Sequence, residues 1–395
     1  MDTREIIRQK IYHLQHIANQ VPVTHDALSQ GRLCLALSSF YCGRYLQDET
    51  WSAAGHQLLE EIFTNIQTGT QNDFTTQSFL TGMTGLTSVV NHLTKHGFVE
   101  FDLSSLADID ATIFQWAELQ LDSDNLDFFY GPMGAIAYFS QRLPDPAIQP
   151  FLETLLRKLQ EKSAANNDSY LLINKFYNKR AEQDEGQVHF GIAHGVSSML
   201  LVFLDLVKMG YIIPLHSTIN EIISLNRQYC RSEHHAFLGS FNHHKDEILY
   251  QGRVGWCFSE LNTLHVLLKA GHILQAPAYQ NFAYEKLENI VGKNTIAATR
   301  ADEPFLCHGA CGISQYYAYL HQLTGHAAFL DAHQQWTQHT LQQLENIPDD
   351  YWTSHAYELK HHAHSLLSGI PGIILSLLTA YNPKANNWSE LILLN

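Results

Sequence analysis

Two cysteines and a histidine carry the clearest chemistry in the 395-residue sequence: Cys257 in GRVGWCFSE, and the Cys307-His308 pair in PFLCHGACG fifty residues on. Thiolate sulfur and imidazole nitrogen are the ligands zinc prefers, and three protein ligands leave a fourth position open, as a catalytic zinc site requires. The competing reading is two packed core cysteines and a hydrogen-bonded histidine. It is weakened by placement, since all three residues stand at or just before the small-residue start of an apolar run of helical length. Cys311 lies one helical turn beyond Cys307 but inside Gly309-Ala-Cys-Gly312, where it reads as a packing residue. All six cysteines are scattered, and MDTREIIRQKIYHLQ at the N-terminus has no apolar signal core, so reduced thiols and a cytoplasmic location are expected.

The runs that place these residues recur along the chain. A small residue, two others, a second small residue and then an apolar stretch appear at Gly82–Gly85, Gly131–Gly134, Gly309–Gly312 and Gly369–Gly372. Gly195-Val-Ser-Ser198 lacks the second glycine, and weaker copies start at Gly31 and Ser259, giving seven at intervals of roughly 50 to 65 residues. Such a period holds two helices with their connections. The runs after each start are apolar all round, as suits an inner ring, and the glycines are expected to let neighbouring backbones converge. Between them, segments such as LQDETWSAAGHQLLEEIFTNIQ put apolar residues at three- and four-residue steps, as suits an outer ring with one wet face. The expected fold is all-α, an α/α toroid of seven inner and seven outer helices forming a single domain over 1–395.

Two stretches break this rhythm, 161–187 and 231–250, and read as longer surface loops bordering a site. The charge is −15 from 24 Lys+Arg against 39 Asp+Glu, with no basic run to neutralise phosphates, so nucleic acid and anionic membrane surfaces are poor partners. No apolar stretch approaches the ~20 residues of a membrane-spanning helix. His361, His362 and His364 in KHHAHS resemble a second metal site, but no carboxylates accompany them and a solvated run is the preferred reading.

GIAHG, Trp256-Cys257-Phe258, Leu306-Cys-His-Gly309 and the repeated G-x-x-G starts together resemble the lanthionine synthetase C (LanC)-like cyclases, over about residues 31–381. The resemblance implies that Cys257, Cys307 and His308 bind Zn2+ and that His194, Asp127 and Arg253 belong to the active site. Trp256 is expected to wall the substrate pocket or to pack in the core. The chain departs from the family pattern at Phe258-Ser259, where the family has Tyr-Gly, and at Ser198.

The implied activity is a thioether-forming cyclisation. A zinc-held cysteine thiolate of a ribosomal peptide adds to a dehydroalanine or dehydrobutyrine, with Arg253 stabilising the enolate, His194 returning the proton and Asp127 orienting His194. The implied partners are a dehydrated precursor peptide and a separate dehydratase. Two alternatives keep the fold: addition of glutathione to dehydrated residues, and a non-catalytic zinc-containing peptide-binding scaffold. A glycoside hydrolase is disfavoured, because no paired carboxylates recur at the repeat starts.

Overall fold

The computed structural model describes residues 2–70, 74, 76–230, 235–242, 244–245, 247–250, 252–354 and 363–395. Its contacts divide the chain into two compact units, one of Met1–Leu103 with Arg300–Asn395, the other Ser104–Thr299. Among the described residues no helix is long and apolar enough to cross a membrane.

Every one of the seven small-residue starts opens a helix. In the first unit these are Arg32–Leu46, Met83–Lys95, Ala310–Thr324 and Ile370–Tyr381; in the second, Pro132–Gln141, Val196–Lys208 and Glu260–Ile273. They are buried on all sides, as their apolar composition dictates: Ile370–Tyr381 buries an unbroken run from Ile370 to Thr379. Within each unit they pack side by side, Ile370–Tyr381 between Arg32–Leu46 and Ala310–Thr324, and Val196–Lys208 between Pro132–Gln141 and Glu260–Ile273.

The intervening helices bury one stripe only. Glu49–Thr68 buries Gly55, Leu59 and Ile62, and Ala107–Asp122 buries Asp110, Ile113, Ala117 and Leu121, all at three- and four-residue steps. The polar Asp110 on that stripe is matched by Tyr138 (2.7 Å) and Arg142 (3.0 Å), so a charge enters the interior already paired.

The glycines of the repeat do something other than expected. A side chain at Gly31, Gly82, Gly195 or Gly309 would collide with the carbonyl oxygen of the residue six positions earlier, respectively His25, Thr76, His189 and Glu303. The second glycines, Gly85, Gly312 and Gly372, meet Phe79, Leu306 and Leu366 in the same way. The repeated spacing therefore folds these entering turns tightly under their own helices, and convergence of neighbouring backbones is not its main reason. That turn is where the site residues stand.

A three-stranded antiparallel sheet, β1 Gln187–His189, β2 Leu238–Asn242 and β3 Glu247–Tyr250, occupies part of the stretches read as loops. Phe190 N–H extends the pairing to Gly239 O at 2.9 Å, so β1 delivers the chain directly into the Gly191–Gly195 turn. The other loop holds a short helix, Lys175–Arg180, capped by Asn174.

Candidate active site

In the second unit three entering turns are tied together by main-chain hydrogen bonds. Phe128 N–H donates to Ala193 O (3.3 Å), and Ile192 and Ala193 N–H both donate to Cys257 O (3.0 and 3.1 Å). Gly191 is required here, because a side chain would meet Cys257 O and the Phe258 ring. Asn174 adds a fourth strut: its amide oxygen accepts from Leu126 and Tyr177 N–H, and its amide nitrogen donates to His194 O at 3.0 Å. Residues distant in sequence, Asp127, His194 and Cys257, are thereby fixed in one region.

His194 and Asp127 meet directly, Nδ1 to Oδ2 at 2.7 Å. The Asp127 side chain is fully buried, and its other oxygen accepts from Phe129 and Tyr130 N–H, both at 2.9 Å. The turn-capping and orienting roles thus fall on different oxygens of one carboxylate. With Nδ1 so held, Nε2 of His194 has no partner among the described residues, and the side chain is 29% exposed. Aromatic rings fix its plane: Tyr177 stacks on it (centroids 4.5 Å, 11°) and Phe129 meets it edge-on (5.9 Å, 76°). Beneath it His189 is buried with Nε2 3.0 Å from Asn178 Oδ1, and burial, with His194 nearby, pushes its pKa down to about 4.

Cys257 is buried. Trp256 is entirely buried, packs on Phe129 (5.4 Å) and receives Asn262 Nδ2 on its carbonyl. Arg253 is half-buried, four residues before Cys257, in a segment pinned by Val254 N–H to Thr299 O at 2.9 Å. Ser259, where the family has glycine, caps the Glu260–Ile273 helix in a reciprocal box with Asn262 and also donates to Gly255 O. Phe258 is 36% exposed and lies edge-on to His189.

In the first unit Cys307 and His308 occupy the turn before Ala310–Thr324, with Cys307 N–H on Leu367 O at 2.9 Å. Cys307 Sγ and His308 Nε2 are 3.6 Å apart; the cysteine is half-buried and the histidine exposed. Cys257 in the second unit and Cys307 with His308 in the first are thiol and imidazole donors of the kind zinc takes. None of the six cysteines is in a disulfide, and burial drives the Cys311 thiol well above its usual range, as fits a packing residue. His361 and His362 lie outside the described residues, while His364 is buried against Ala18 O (2.9 Å). Sequence reading did not find Asn174, Tyr177 or His189; the only signal was that the first two fall in a stretch read as bordering a site.

The sequence profile of the family described as lanthionine synthetase C-like protein matches residues 22–393. Comparison with curated proteins found no match. Among solved structures, a nisin cyclase is similar over 98% of this chain and 96% of its own, at 16% identity and a TM-score of 0.74. That likeness gives the chain the α/α toroid fold its repeats predicted.

Proposed function

The chain belongs to the lanthionine synthetase C-like family, and from that premise we propose that it is a zinc-dependent cyclase closing thioether rings in a dehydrated ribosomal peptide. The observation that carries this reading is the His194–Asp127 pair, with one imidazole nitrogen anchored and the other open, tied by backbone to the Cys257 turn. Two thiols and an imidazole fit zinc in both number and kind, and Cys257, Cys307 and His308 would hold it. When bound, zinc stabilises the peptide cysteine as a thiolate, which two anionic cysteine ligands keep nucleophilic.

The protein's own groups manage the rest. As the S–Cβ bond forms, the π pair of the dehydroamino acid moves onto the carbonyl oxygen, and Arg253 is assigned to that developing charge. His194 gives a proton from Nε2 to Cα and the carbonyl re-forms, while Asp127 keeps Nδ1 protonated and the ring in place. We read the chain as a single LanC-like domain over 1–395, a reading supported by the family match over 22–393, and assign it to the cytoplasm and to a precursor dehydrated by a separate enzyme.

The test combines metal analysis with thiol counting. Purified protein is expected to hold about one zinc per chain, and Cys257→Ala, Cys307→Ala and His308→Ala should each lose most of it. With a dehydrated, cysteine-containing peptide, the wild type should consume alkylatable thiols and the three variants should not. Thiols that persist with the wild type would leave only a binding scaffold, and adducts formed solely when glutathione is supplied would change the substrate.

A further inference from the structure

Tyr177 is placed with more care than a residue of a short surface helix needs. Its N–H is capped by Asn174 Oδ1 (3.2 Å), its ring stacks on His194, and His189 meets the other ring contact edge-on at 4.9 Å and 88°. The stack, the edge-on contact and the capped main chain together hold the ring in place. Its hydroxyl, in contrast, has no hydrogen-bond partner among the described residues, although the side chain is half-buried.

The hydroxyl also stands within electrostatic reach of Cys257 and Asp127. Burial first, and then these two groups, raise the phenol above its usual range, so it remains a neutral donor at working pH. A rigid, neutral O–H donor with no internal acceptor, beside an imidazole whose Nε2 is also open, is suited to an oxygen on which charge develops.

We infer that Tyr177 is a further catalytic residue, donating a hydrogen bond to the enolate oxygen of the substrate while His194 delivers the proton to Cα. The inference rests on the cyclase reading above. In the addition the S–Cβ bond forms and the carbon–carbon π pair shifts toward the carbonyl oxygen. Tyr177 keeps its proton and shares it with that oxygen. When the carbonyl re-forms, the electron pair takes the proton from His194 at Cα. The neutral ground-state carbonyl is the weaker acceptor, so the bond strengthens as the reaction proceeds and acts on kcat more than on KM.

The experiment compares Tyr177→Phe and Tyr177→Leu with wild type in the thiol-consumption assay, alongside zinc content and helical circular dichroism. Tyr177→Phe keeps the ring and its stack and removes only the hydroxyl. It is expected to lower kcat about 10²–10³-fold, as loss of one oxyanion donor does, with KM, zinc and helicity unchanged; Tyr177→Leu should be at least as slow. A Tyr177→Phe variant at wild-type kcat overturns the inference whether or not the leucine variant is slow, since the ring would then only pack. A raised KM at unchanged kcat overturns it equally, making the hydroxyl a ground-state contact. Those results leave the cyclase reading standing, whereas a wild type that consumes no thiols overturns both.

Discussion

Two histidine–carboxylate pairs in this chain have nearly the same contact and opposite surroundings. His194 Nδ1 lies 2.7 Å from Asp127, and His92 Nδ1 lies 2.6 Å from Glu390. At His194 the carboxylate is satisfied by two backbone N–H groups, and the imidazole keeps one nitrogen open on a partly exposed ring. At His92 the ring is fully buried and its Nε2 is 2.8 Å from Tyr41 OH, while Glu390 also takes His96 (3.0 Å) and Lys95 (3.0 Å). Burial alone would raise the Glu390 carboxyl, but hydrogen bonds from His92 and His96 outweigh it and hold it well below the usual carboxylate range. His92, His96 and Glu390 are grouped closely enough to hold a metal, yet both His92 nitrogens and both Glu390 oxygens already have partners. A pair with every valence spent fastens the C-terminal 3₁₀ turns, Pro383–Ile392, to the Met83–Lys95 helix; a pair with one nitrogen left over can exchange a proton with a ligand.

The comparison breaks most visibly on rate. Asp127→Asn still offers an oxygen to Phe129 and Tyr130 N–H but no longer holds a protonated Nδ1, and His194→Asn removes the proton donor. Both variants are expected to cyclise about 10²–10⁴-fold more slowly while keeping their zinc. Normal thiol consumption by His194→Asn would remove its proton-transfer role, and loss of zinc would make it a ligand instead.

The reverse pattern is expected at the other pair. Glu390→Gln leaves two histidines and Lys95 without their shared anion, and losing hydrogen bonds to a buried charged acceptor costs about 1.5–3 kcal/mol. The urea midpoint should fall accordingly, with the cyclisation rate of the folded fraction unchanged. A variant that kept its stability but lost activity would move Glu390 into the active region and erase the distinction drawn here.

How far the sequence announced these features depends on the distance over which each is written. The seven inner helices and the zinc-type donors were legible because each is a local pattern: an apolar run behind two small residues, or a cysteine and histidine beside a glycine. The reason for the glycines was not legible, since the carbonyl that most of them shelter is six residues away in a turn with no fixed composition. The sheet was missed because strands of three to five residues are too short to show alternation. His92 and His96 are visible as an i, i+4 pair, but Glu390 lies 298 residues from His92 and no spacing predicts it. Tyr177 and Asn174 carry no motif; only the folded turn brings them against His194. Trp256, the large aromatic beside Cys257, drew attention on sequence and is fully buried.

A third histidine sharpens the comparison, because it is buried without any carboxylate. His189 is 6% exposed, its Nε2 is used by Asn178, and its pKa is pushed down to about 4 against roughly 6.5 in an unfolded chain. Its folded pKa is depressed, so as pH falls the unfolded state takes up the proton first. The stability it lends is whole above pH ~6.5 and erodes between there and pH ~4, at up to ~1.4 kcal/mol per unit. Other buried histidines contribute in the same direction, including His265, His333 and His364. Their effect cancels when one residue is changed against a common background. His189→Gln keeps an amide that can donate to Asn178 but does not titrate. Unfolding free energies from urea melts at pH 7, 6 and 5 should therefore fall more steeply in the wild type, by about 2 kcal/mol at pH 5. Parallel curves would mean that His189 is already protonated in the folded protein near pH 6, and that an anion or water beneath His194 compensates it.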